Sequence, residues 1–196
     1  MAAIVVGSLL SGCGGGKGPV VVVVGDSITV VSAPGVEAEL RGYSLYMRAI
    51  DGKRIDEMIP SLRAEVARKP RAVVVNLGTN DALQAQTHSN WLGSFDTVWA
   101  LTRSRPCVIF VTVSTYADNL GKGAVANDIN LAIRKLAAEH HNVHIVDWNA
   151  AVHANRSLLA SRNPPADNIH PYSSPGWRWL GNHYRNALLA CGLHPV

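Results

Sequence analysis

Two hydrophobic rhythms alternate along the chain. Val20 to Val24 is an unbroken β-branched run between Pro19 and Gly25, the pattern of a strand covered on both faces. Comparable runs recur at Ala72 to Leu77, Val108 to Val113 and Val143 to Val146, with a weaker one at Tyr43 to Ile50. Between them the apolar positions open out to helical spacing. Ile55, Met58, Ile59, Leu62 and Val66 share one face, with Pro60 expected in the opening turn of that helix. Leu92, Phe95, Val98 and Trp99 mark a second helix, Ile129, Ile133 and Leu136 a third, and Leu180, Tyr184, Ala187, Leu188 and Cys191 the last. Strands alternating with helices imply βαβ units with right-handed crossovers, hence an α/β protein: a three-layer α/β/α sandwich around a five-stranded parallel sheet. Ligands of such sheets bind beyond the carboxyl ends of the strands, where the strand order reverses, so reactive residues are expected directly after strands.

The 196 residues suit one domain, and 47% hydrophobic with 16% charged residues excludes a disordered chain. A formal charge of +4 raises nucleic acid as a partner. The Lys and Arg residues are scattered, however, and form no basic run with interleaved aromatics, so no nucleic-acid partner is expected. Ala2 to Leu10 is almost wholly apolar and leads into Leu10-Ser11-Gly12-Cys13, small residues before Cys as at a processing site. This motif resembles the bacterial lipobox, which implies a lipid-modified Cys13, export, and anchoring in the cell envelope at the outer face of the cytoplasmic membrane. An ordinary apolar leader or a frayed first strand is the alternative. Residues 1–18 are therefore set apart as leader and Gly-rich tether, and 19–196 as the folded domain. The stretch Gly12 to Lys17 lacks the spacing and the following Ser or Thr of a phosphate loop.

Three polar segments follow strands. Gly25-Asp26-Ser27 closes the first, Asn76-Leu77-Gly78-Thr79-Asn80-Asp81 the third, and Asp167-Asn168-Ile169-His170-Pro171 lies between the last strand and the final helix. Ser27 then stands at the sheet's carboxyl edge, where the dipole of a following helix favours negative charge. Asn80 can direct an amide N–H toward a developing oxyanion. Asp167 and His170, three apart in a loop, can meet so that the carboxylate fixes the imidazole tautomer. Taken singly, each segment has a structural explanation as a turn or a helix cap. Asp26 and Asp81 are read in that way, as hydrogen-bond acceptors that shape the backbone.

Together the three segments resemble, in order and approximate spacing, the conserved blocks of the SGNH/GDSL hydrolase superfamily. The G-D-S block is Gly25-Asp26-Ser27, the G-x-N-D block Gly78-Thr79-Asn80-Asp81 and the D-x-x-H block Asp167-Asn168-Ile169-His170. The resemblance spans Val20 to about Cys191 and implies the family's flavodoxin-like fold. It implies Ser27 as nucleophile, His170 as base, Asp167 as orienting acid, and an oxyanion hole from the backbone N–H groups of Ser27 and Gly52 with the side chain of Asn80. No cofactor is implied. His140, His141 and His144 lack any H-E-x-x-H-like spacing, so no metal is expected. Trp177 and Tyr116 are candidates to line the substrate, with Trp179 beside them. The loops Ala82 to Asn90 and Ser114 to Gly123 are the longest expected near the site. With no insertion large enough for a lid, the expected substrate is a short acyl ester, acetyl foremost, or an acyl group on a bulky exposed alcohol, such as an O-acetylated envelope carbohydrate or another small ester. An O-acyltransferase using the same triad is the alternative, and a non-catalytic carbohydrate-binding domain a more distant one.

Two cysteines remain beside Cys13. Cys107 opens the fourth strand at the sheet's amino edge, and the last helix must run back to that edge before Cys191. The pair can be a disulfide, as an exported protein favours, or two buried free thiols.

Overall fold

The computed structural model describes residues 18–84, 86, 88–116, 123–159, 168–171 and 174–196. Five strands, β1 (Val20–Gly25), β2 (Ser44–Ala49), β3 (Ala72–Asn76), β4 (Cys107–Val111) and β5 (Val143–Val146), form one parallel sheet in the order β2-β1-β3-β4-β5. The helices are α1 (Ser27–Glu39), α2 (Ile55–Val66), α3 (Thr79–Leu83), α4 (His88–Thr102), α5 (Gly123–Glu139), α6 (Trp148–Ala154) and α7 (Ser174–Ala190), with a 3-10 turn at Arg156–Leu159. The expected three-layer α/β/α sandwich with five parallel strands is present.

Alternation along each strand divides the core into two apolar layers. Val21, Val23, Val74, Ile109 and Val146 face α1, α6 and α7 through Ile28, Val36, Trp148, Leu180, Tyr184 and Leu188. Val22, Val24, Val73, Val108 and Phe110 face α2, α4 and α5 through Met58, Leu62, Phe95, Val98, Ile129 and Ile133. Val21 to Val24 are all fully buried, and burial of each such side chain stabilises by roughly 1.5–3 kcal/mol relative to exposure. A β1 valine changed to Asp therefore strands a charge in the centre of the sheet.

Helix α1 forms despite an unpromising sequence, Ser27-Ile28-Thr29-Val30-Val31 followed by Pro34 and Gly35. Its packing explains it. A Cβ at Gly35 would lie 2.4 Å from the Trp177 carbonyl carbon, and one at Gly181 would lie 2.6 Å from the Gly35 carbonyl oxygen. Only glycines let α1 and α7 approach this closely, so tertiary contact overrides weak propensity.

Two expectations need correction. Pro60 is the sixth residue of α2 and not in its opening turn. The start of α2 is fixed earlier, because Glu57 Oε2 accepts from the Arg54 N–H at 3.0 Å and Asp81 Oδ2 from the Ile55 N–H at 3.0 Å. These carboxylates satisfy donors left open at a helix start. The loop expected over Ala82 to Asn90 is also shorter, because α3 runs to Leu83 and α4 begins at His88. At the amino edge, Cys107 and Cys191 are disulfide-bonded across a sequence separation of 84, with Cα atoms 5.9 Å apart.

Candidate active site

The strand order sets the location. From β1 the chain goes to β2 on one side and returns to β3 on the other, so the order reverses between β1 and β3. Gly25 and Asn76, the last residues of these strands, are register partners. The two motifs that follow them thus begin side by side at the edge where such sheets open a crevice.

Asp26 is the N-cap of α1, and its Oδ1 accepts from the Ile28 N–H at 3.0 Å. This puts Ser27 at the first helical position, where backbone N–H groups have no partner within the helix and the dipole favours an anion. The Oγ of Ser27 lies 2.8 Å from Nε2 of His170, 143 residues away in the chain. A hydroxyl and an imidazole at that distance can exchange a proton directly. His170 stands between Asn168, whose φ is +56°, and the buried Pro171. Asp167 lies outside the described residues.

Asn80 is in the first turn of α3, 7% exposed, and donates through Nδ2 to the Lys53 carbonyl at 3.1 Å. That bond ties it to the turn after β2 that contains Gly52, whose φ of +72° is left-handed and suits glycine. The fold therefore joins Asn80 to the Gly52 turn, and Ser27 to His170. One of the two Asn80 amide protons is engaged in that bond. Asp81 caps α2 through Ile55, and its burial raises its pKa to about 6.

The link from this edge to α7, through Asn76 and Tyr184, is the part that sequence reasoning missed. Asp26 and Thr29 are fully buried, and Asn76 is 5% exposed. Burial raises the Asp26 carboxyl to about 7, against the opposing effects of the Ile28 N–H and Thr79. Asn76 Nδ2 donates to the Tyr184 hydroxyl at 3.0 Å, and the Asn76 carbonyl accepts from the Asp26 N–H at 3.2 Å. Burial raises the Tyr184 pKa as well. Helical periodicity identifies Tyr184 only as an apolar position of the last helix. The available signal was Asn76, a polar residue closing an otherwise apolar strand. Asn130, also buried, clamps the exit of β4 by accepting from the Val113 N–H at 2.7 Å and donating to its carbonyl at 2.8 Å.

The aromatic candidates have packing partners. Trp177 lies against Gly35 of α1. Trp179 stacks on His183 with centroids 3.6 Å apart and meets Trp148 at 5.5 Å. Tyr116 stacks on His153 at 4.3 Å and lies under the Arg156 guanidinium. Among the described residues, the one cluster of three potential metal ligands is Cys107, His144 and Cys191, of which the cysteines are already bonded to each other. His140 lies against Trp99 with ring centroids 4.6 Å apart and the planes tilted by 35°.

A serine–imidazole pair at the switch point of a 2-1-3-4-5 sheet defines a class that sequence and fold comparisons make specific. The family model of the GDSL-like lipase/acylhydrolase family matches residues 23–174, and the chain belongs to that family. Among solved structures, the fold is similar to the C-terminal catalytic domain of Streptococcus pneumoniae peptidoglycan O-acetyltransferase A, with TM-score 0.75 and 17% identity over 89% of this chain and 95% of that one. It is similar also to an acetylxylan esterase from Geobacillus stearothermophilus, with TM-score 0.69 and 17% identity over 91% and 96%. A lipase/acylhydrolase from Enterococcus faecalis gives TM-score 0.69 and 21% identity over 91% and 98%. No curated protein matches the chain significantly.

Proposed function

We propose that the protein is a serine ester hydrolase that cleaves short acyl esters, acetyl foremost, on carbohydrate or another small alcohol. The observation that carries this reading is the 2.8 Å approach of Ser27 Oγ to His170 Nε2 at the β1/β3 edge, in a chain of the GDSL-like lipase/acylhydrolase family.

In this reading His170 Nε2 takes the Ser27 proton as Oγ bonds to the ester carbonyl carbon. The carbonyl π electrons move to oxygen, giving a tetrahedral oxyanion held by the Ser27 and Gly52 N–H groups and by Asn80 Nδ2. The C–O bond to the alcohol then breaks, and the leaving oxygen receives the proton from His170. Water repeats the sequence on the acyl-enzyme, releasing the acid and restoring Ser27. Asp167 orients His170. If a sugar hydroxyl takes the place of water, the same steps constitute O-acyl transfer.

A hydrolysis series with p-nitrophenyl esters of increasing chain length, beside acetylated glycans, tests the reading. Turnover is expected to be highest for acetate and absent in Ser27→Ala. Competition between water and an added alcohol for the acyl-enzyme separates hydrolase from transferase. Anchoring through Cys13 is proposed on the motif alone, since residues 1–17 lie outside the described residues. Among those described, no helix is long and apolar enough to cross a membrane. Mass spectrometry of the protein from its own host, looking for lipid on Cys13, checks that proposal.

A further inference from the structure

The two halves of the Ser27–His170 pair are held very differently. Ser27 opens α1 one residue after β1, and both elements pack into the core. His170 lies on an irregular segment, between Ile169, which packs against the core, and the buried Pro171. Contacts from the 3-10 turn at Arg156–Leu159 reach this segment on both sides of the histidine.

On the amino side, Arg156 Nη2 donates to Asn168 Oδ1 at 2.9 Å. Asn168, two residues before His170, has the left-handed φ of +56°, which Asn tolerates better than other side chains. Its side chain is thus anchored where the backbone reverses. On the carboxyl side, a Cβ at Gly176 would meet the Leu158 carbonyl at 2.4 Å and Pro171 Cβ at 2.8 Å. Leu158 of the same turn, Pro171 and the start of α7 are therefore packed in one place.

Arg156 is itself held. Its guanidinium lies 5.1 Å from the Tyr116 ring centroid, and Tyr116 stacks on His153 at 4.3 Å with an interplanar angle of 15°. His153 Nε2 is 2.7 Å from Thr115 Oγ1, and the Thr115 N–H donates to Asn149 Oδ1 at 2.8 Å. Among the described residues Arg156 has no carboxylate partner. Its planar shape, which lets it contact a ring and an amide oxygen at once, is what this arrangement uses. We infer that Arg156 is a positioning residue that, through Asn168, holds the His170 segment in reach of Ser27. The inference rests on the reading of His170 as the base.

The test uses Arg156→Ala, Arg156→Lys, Asn168→Ala and the double variant Arg156→Ala/Asn168→Ala, with p-nitrophenyl acetate as substrate. Misplacement of a reacting group by about 1 Å can cost on the order of a hundredfold. Each alanine variant is expected to lower kcat about tenfold or more, with KM within about twofold, because the defect lies in geometry rather than ground-state binding. The double variant should be no slower than the slower single, since both remove one link. Arg156→Lys should recover part of the rate, because an ammonium can donate to Asn168 but cannot lie flat on Tyr116.

An unchanged kcat in Arg156→Ala, additive losses in the double variant, or an effect confined to KM overturns the inference; the last makes Arg156 a substrate contact. A readout independent of turnover is the ring ¹⁵N spectrum of His170, in which Arg156→Ala should perturb the Nε2 resonance. An identical spectrum overturns the inference even if no ester is hydrolysed. Full turnover by Ser27→Ala overturns the nucleophile assignment instead, which keeps the two failures apart.

Discussion

The two ends of the sheet are built to opposite rules. At the amino edge Val21, Ala72 and Cys107 of neighbouring strands are fully buried, and the bond from Cys107 to Cys191 ties the sheet to the chain just beyond α7. At the carboxyl edge the chain buries Asp26, Thr29, Asn76, Asn80 and Asp81. Two of those carboxyls have pKa values raised by burial, to about 7 and about 6. Burying polar groups costs stability unless they are well partnered, so the carboxyl edge gives up stability to hold Ser27 and Asn80 in place. The amino edge supplies stability without chemistry. Activity and stability should therefore respond separately to changes at the two ends.

The largest effect should come from Ser27→Ala, which in the proposed mechanism lowers ester turnover to below about a thousandth and leaves the thermal midpoint nearly unaltered. Near-normal hydrolysis would remove the nucleophile from the carboxyl edge. Asn80→Ala should lower kcat by roughly 10²–10³, corresponding to about 2.7–4 kcal/mol of transition-state stabilisation. Steady-state kinetics check this, and a change in KM alone would make Asn80 a binding or structural residue.

Changes at the amino edge should do the reverse. Replacing both Cys107 and Cys191 by alanine should cost about 2–4 kcal/mol in denaturant unfolding, since the bond closes a long loop of the unfolded chain. Below the unfolding transition kcat should stay within about twofold, and a large loss of turnover would show the two edges to be coupled.

The buried carboxyl gives a pH test. The Asp26 pKa is raised from 3.8 to about 7 on folding. The native state therefore holds this proton more tightly than the unfolded state does. The associated stability is full below about pH 4 and is lost as pH rises through about 7. Asp26→Asn should flatten most of that fall and leave the smaller part from Asp81, which follows the same sign up to about 6. Unfolding curves across this range decide it, and parallel slopes for the two proteins would refute the assignment. The smallest effect should be Tyr184→Phe. Removing the hydroxyl leaves the buried Asn76 amide without that acceptor, at about 1–3 kcal/mol. A variant as stable as the parent would show that the amide finds another partner.

Much of this protein is determined by the sequence alone, and for local reasons. Short β-branched runs bounded by Gly and Pro favour buried strands, and helical spacing between them leaves few topologies, so five parallel strands between helices are the expected arrangement. The motifs after strands β1 and β3 and before α7 point to one edge because parallel strands all end there. Other features lack a purely local cause. Helix α1, with its β-branched start and Pro34-Gly35, exists because Gly35 and Gly181 let α7 pack onto it. The start of α2, which leaves Pro60 in its interior, has a local part in Glu57 and a non-local part in Asp81, which reaches the Ile55 N–H from a different βα unit. The 3-10 turn that holds the His170 segment has no hydrophobic period to announce it, and its contacts at Asn168 and near Pro171 join residues brought together by the sheet. Periodicity records which face of an element is buried. Which polar group meets which across the chain is decided only when the layers close, because hydrogen bonds depend on distances that no spacing in the sequence contains.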